Sequence, residues 1–346
     1  MTNAVSEKPR RIAALDQLRG YAIFGMLLVN AKGLFGLDFV QLKHHKEIFT
    51  FADTIAPLFM FVVGMGMRLS WLRRSRRVGV QETRKSMFKR FSILALIAFA
   101  IYPGWYWDAL MDIGLAGLLA VLLIDKKTWI RIVGAFGMVG VYQAIHMFTS
   151  YGQWNTGAIK YGSENTPLLV KLIPMQSDLF GSTLNGGPLG PMSWCMMLLL
   201  GTVAYDMMAA KDEKKFFVGS LAWGIGLCAA AYALHVPWGE FKEAWPFSAR
   251  YMTAPFPLWA SGLCFFQLLA FYVVCDKLHF RIPSLTCIGM NPLFIYIISI
   301  LLIDVIEGLD VLEMSLPAGF GGFALFYGIF VALAYWMCRK NIYIKI

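Results

Sequence analysis

Asn30, His44, His45 and Asp53 stand together in "NAKGLFGLDFVQLKHHKEIFTFADTIAPLF", a stretch that joins two long apolar segments. Their types suit acid–base chemistry. A neutral imidazole takes up a proton near neutral pH, a carboxylate can orient the ring, and an amide can hold a carbonyl oxygen. An acid placed inside an apolar segment faces a bundle interior or a cavity, which makes Asp53 a functional candidate by itself. The plainer readings are that the two His are solvated and that Asn30 caps or cross-links a helix end.

The elements that must carry these groups are membrane helices. Hydrophobic residues make up 58% of the 346 positions and charged residues 15%, more apolar surface than one water-soluble core can hide. A core of about 30 Å takes roughly 20 residues of helix. Ten spans meet that length: 14–33, 49–71, 88–104, 108–124, 129–149, 190–209, 216–235, 254–275, 285–305 and 318–338. The expected architecture is an all-α integral membrane protein, one multi-pass domain over 1–346 with about ten transmembrane helices. Of the 31 Lys and Arg residues, 24 fall in the connections of one side, so that side and both termini are expected to be cytoplasmic. The net charge of +10 then follows from topology and calls for no nucleic acid.

This topology sets depth. Asp16 lies at the inner end of the first span and Asn30 is 14 residues on, about 21 Å farther out at 1.5 Å per residue. Asp53 is one turn into the second span from its outer end, so Asn30, His44, His45 and Asp53 share an outward level. Asp108 and Asp112 are spaced i, i+4 at the outer end of span four, after "YPGWYW" with its Trp105, and could bind a polar acceptor. An aromatic belt with water-facing acids is the plainer reading. Arg19, Arg68, Lys89 and Arg90 sit at inner helix ends, where they either snorkel or bind phosphate. The outer connection 150–189 could serve as a lid or simply pack over the helix ends. The six Cys fall in or beside spans as packing residues, and no metal spacing is found. A proton-coupled transporter remains an alternative, using Asp53, Asp108, Asp112 and Asp304.

Four blocks carry a resemblance: "LDQLRGYAIFGMLLVNA", "TFADTIAPLFMFVVGMGMRLS", "GPLGPMSWCMMLLLGTVAYD" and "GMNPLFIYIIS". Their order is similar to that of the heparan-α-glucosaminide N-acetyltransferase family and its bacterial relatives. The resemblance implies transfer of the acetyl group of cytosolic acetyl-CoA to the amino group of an extracytoplasmic glucosamine-type sugar. It places the family's active-site Asn at Asn30, its His at His44 and its Asp at Asp53. The Asn-to-His separation is longer here, so His45 stays a competitor, as an acceptor contact or as the base. CoA phosphates are assigned to Arg19, Arg68, Lys89 and Arg90, and the acceptor to His45, Asp108, Asp112 and Trp105. The implied setting is the bacterial cytoplasmic membrane, with the lipid bilayer, acetyl-CoA, a glycan acceptor and a second copy of the chain as partners. An O-acetyltransferase of a surface glycan, and an acetyl-His intermediate, are the nearest variants of this chemistry.

Overall fold

The computed structural model describes residues 12–45, 48–101, 107–160, 162–171, 185–239, 245–308 and 314–344. Trp105, and residues 172–184 of the outer connection, lie outside them. The described chain folds as helices: α1 (Ala13–Ala31), α2 (Ala52–Val78), α3 (Val80–Ile101), α4 (Ala109–Val121), α5 (Thr128–Phe148), the short α6 (Ser150–Asn155) and α7 (Leu168–Lys171), α8 (Gly190–Ala209), α9 (Glu213–His235), α10 (Pro255–Phe271), α11 (Pro283–Met290), α12 (Pro292–Glu307) and α13 (Leu316–Arg339). No strand occurs among the described residues.

A helix stands at each of the ten expected spans, but they are not equivalent. Among the described residues, six of them are long and apolar enough to cross a membrane, and up to seven if α11 and α12 are one bent span. At span four, α4 is apolar but short. At span three, α3 carries Arg84, Lys85, Lys89 and Arg90 in its first half, so only its second half is apolar. Span 285–305 is not one straight helix. It bends by 91° between α11 and α12, because Pro292 lacks an N–H and disfavours helical geometry at Asn291, which sits at φ −130° and ψ 49°. Beyond α10, a π turn over Tyr272–Lys277 completes the eighth span.

Burial sorts the helices into layers. The apolar window of the α8 segment is 72% buried and that of α2 61%, against 22% for α9 and for α13. Thus α2 and α8 form the centre, and α9 and α13 turn most of their apolar surface outward, as lipid-facing helices do. α1 packs on α2 and α11, and α10 closes against α9 and α2. At the basic end a partly buried ion cluster ties α2, α5 and α8 together. Arg68 Nε donates to Asp206 (2.8 Å), Arg131 donates to the same carboxylate, and Arg131 Nη1 donates to Thr202 Oγ1 at 2.5 Å. Arg131 is fully buried, so its charge depends on that carboxylate.

Candidate functional site

The first part of the site begins with how α2 starts. Thr50 and Asp53 stand three residues apart at the entry, and Asp53 reaches back to accept the Thr50 N–H at 3.0 Å, half of a capping-box exchange. Its position in the first turn also suits a negative charge. Asp53 Oδ1 lies 2.6 Å from His44 Nδ1, while Thr50 Oγ1 is 3.2 Å from Oδ2. The carboxylate is buried, with 1% of its side chain exposed; the imidazole is 53% exposed. With Nδ1 held by Asp53, Nε2 is the nitrogen left to exchange a proton.

Asn30, in the last turn of α1, joins His44 and Asp53 in the lining of one cavity of about 90 Å³ at the first-turn end of α2. Asp108 and Asn185 also line it, with Trp194, Phe256 and Tyr296 as its aromatic walls. His45 does not; its ring faces the Val40 carbonyl at 3.3 Å. Asp112, placed beside Asp108 by the i, i+4 spacing, is fully buried in α4 and is likewise no part of the lining.

Asn185 reaches the cavity because the end of the outer connection is pinned. Asn185, Gly186 and Gly187 all adopt positive φ, at 54°, 81° and 65°. A side chain at Gly186 would be strained and would meet the Tyr142 hydroxyl. The Gly186 carbonyl accepts from the Tyr151 hydroxyl at 2.5 Å, and its N–H donates to the Arg250 carbonyl at 2.9 Å. Burial pushes the Tyr151 phenol up, which keeps it a donor. Asn185 Nδ2 then donates to the Trp107 carbonyl at 3.2 Å.

The other end of α2 holds a larger cavity, about 630 Å³, lined by Arg19, Arg73, Arg74, Arg77 and Arg90. No Asp or Glu is among its described lining residues. Arg19 reaches it across Gly66, where a Cβ would strike the guanidinium. The break between α11 and α12 opens on the same space through Gly289, Met290, Pro292 and Leu293. Asn291 at that break donates to the Ile342 carbonyl at 3.0 Å and accepts the Ile344 N–H at 2.8 Å, setting Ile344 as another wall. Arg68 departs from the expectation. Two residues from Gly66, it emerges on the opposite face of α2, in the ion cluster with Asp206 and bonded to the Ile124 carbonyl at 2.7 Å, and lines no described cavity. Lys89 lines a neighbouring cavity of about 440 Å³.

Little separates the two cavities. On α2, Pro57 lines the smaller cavity and Phe59 the larger one, a helix rise of about 3 Å. On α12, Tyr296 and Leu293 stand in the same relation, about 4.5 Å apart along the axis.

A family model described as heparan-alpha-glucosaminide N-acetyltransferase, catalytic, matches residues 11–224. The chain belongs to this family. Membership makes it an acyltransferase of the acetyl-transferring kind built on membrane helices. No curated protein matches the chain. The matched region holds Asn30, His44 and Asp53 and ends within α9, whereas Phe256, Tyr296 and Leu293 come from beyond it. The sequence reading missed Arg73, Arg74 and Arg77, although with Gly66 and Ser70 they recur at helical spacing on one face. It also missed Asn185, whose signal is the Asn-Gly-Gly turn ahead of α8.

Proposed function

We propose that the protein moves the acetyl group of cytosolic acetyl-CoA through the membrane helices to the amino group of an extracytoplasmic amino sugar. The observation that carries this reading is the pairing of two unlike cavities at opposite ends of α2, one acid–base and one arginine-lined, with about 3 Å of helix rise between their walls. The inner cavity suits the anionic nucleotide end of acetyl-CoA: arginines bind phosphate by charge-assisted bonds, and the N-terminus of α12 adds its dipole. The basic side of the chain is then the cytoplasmic one, and all ten helices at the expected positions cross or enter the bilayer.

The thioester arm enters the partition and presents its carbonyl to the outer cavity. The acceptor nitrogen attacks the carbonyl carbon, a C–N bond forms, the C–S bond breaks, and CoA leaves inward as the thiolate. His44 takes the amine proton on Nε2, Asp53 supports the charged ring, and Asn30 donates to the carbonyl oxygen as charge builds there. Asp108 and Asn185 hold the hydroxyls of the acceptor.

Sealed vesicles of known orientation test the reading. An impermeant amino sugar on the side of His44 should be acetylated only when acetyl-CoA is supplied on the side of Arg73 and Arg77. Acetylation with both substrates on one side would refute the transmembrane route. Uptake of the sugar without acetylation would make the protein a transporter.

A further inference from the structure

The cavity holding Lys89 lies between α2 and α3 and has a graded lining. Arg74 of α2 and Lys89 and Arg90 of α3 stand toward one end, with Ser70, Ser86 and Met87 beside them; Met67, Phe91, Ile93 and Ile97 continue the lining as an apolar stretch. From Lys89 to Ile97 the helix rises about 12 Å, and from Arg74 to Met67 about 10 Å in the antiparallel partner. The basic ends of the two helices therefore coincide, and so do the apolar stretches.

Two observations say what such a groove meets. The α3 face beside it is apolar and open, with Ile93 40%, Leu96 66% and Phe99 56% exposed, as on a helix that contacts acyl chains. Among the described residues its three cations also have no carboxylate of their own. Arg84 and Lys85, close by on α3, are paired with Asp125 and Glu82, but among the described residues no carboxylate pairs with Arg74, Lys89 or Arg90.

We propose that the groove between α2 and α3 is a binding site for an anionic phospholipid of the basic-side leaflet. Its phosphate sits among Arg74, Lys89 and Arg90, and an acyl chain lies along Ile93 and Ile97. Basic pockets between membrane helices take anionic headgroups for the same electrostatic reason. Arg74 and Arg90 also line the larger arginine cavity, so the bound headgroup forms part of that cavity's side wall. Lys89 and Ile97 line the groove and not that cavity, so variants at these two positions test the lipid site apart from acetyl-CoA binding.

Delipidated full-length protein in neutral detergent, titrated with phosphatidylglycerol or with phosphatidylcholine of the same chains and read by native mass spectrometry, provides the test. Phosphatidylglycerol should bind more tightly, and millimolar inorganic phosphate should not displace it, because the chain contributes. Lys89→Gln, at an exposed position, should weaken binding about fivefold, the share of one basic residue at a membrane surface. Ile97→Trp should fill the apolar part and weaken binding at least as much, while Lys127→Gln, another basic residue outside the groove, should not. Equal binding of the two lipids, displacement by inorganic phosphate, or unchanged binding in Lys89→Gln would overturn the proposal.

Discussion

At the scale of single residues, the dyad divides into a buried, fixed carboxylate and an accessible imidazole. His44→Ala should lower turnover by about 10²- to 10⁴-fold, the usual share of general acid–base catalysis, with acetyl-CoA affinity unchanged by equilibrium binding. His45→Ala should be close to wild type, since its ring lies against the Val40 carbonyl and outside the cavity. Asn30→Ala should cost about 10²- to 10³-fold in turnover as the loss of one oxyanion donor. Asn30→Asp should cost more, and circular dichroism melts should show both variants as stable as wild type. That Asn30, His44 and Asp53 come together was legible because two apolar segments and a short connection bring them to one end of α2, where they line one cavity. That His44 rather than His45 meets Asp53 was not, since the choice depends on a connection whose path is set by Thr50 Oγ1 lying 2.8 Å from the Lys43 carbonyl.

At the scale of elements, hydropathy fixed where the helices are but not how they are joined. The break at Asn291 was hidden inside an apolar run, and only the Asn-Pro pair announced it. Arg68 was assigned by depth alone; a helix presents different faces at one depth, and its face turns toward Asp206. That ion cluster binds α2 to α5 and α8, and Asp206→Asn would leave the buried Arg131 without its carboxylate. The expected destabilisation is about 3–5 kcal/mol, seen as a lower melting temperature in detergent. Turnover per folded molecule should be retained, because the cluster lines neither cavity of the transfer path.

At the scale of the whole molecule, opposite ends of one helix line cavities of opposite character. Arg73→Gln combined with Arg77→Gln should weaken acetyl-CoA binding and flatten its dependence on salt, since partly exposed charges are screened over about 8–10 Å at physiological ionic strength. Acceptor affinity, measured separately, should not move. The division into a basic and an acid–base end could be read from Lys and Arg counts and from Asp53. The closeness of the two cavities could not, because their walls combine Pro57 and Phe59 of α2 with Leu293 and Tyr296 of α12, helices that are distant in sequence.

The half-exposed ring of His44 has an electrical consequence. In the proposed reaction, a proton taken from the acceptor there is released to the outer medium, whereas the departing thiolate recovers its proton from the inner one. Each turnover then carries one positive charge outward although no ion passes through. An inside-negative voltage opposes that movement by about 2.3 kcal/mol per 100 mV. Proteoliposomes clamped by potassium and valinomycin should acetylate more slowly when the CoA side is negative and faster when it is positive. A rate indifferent to voltage would mean that the proton returns inward with the thiolate.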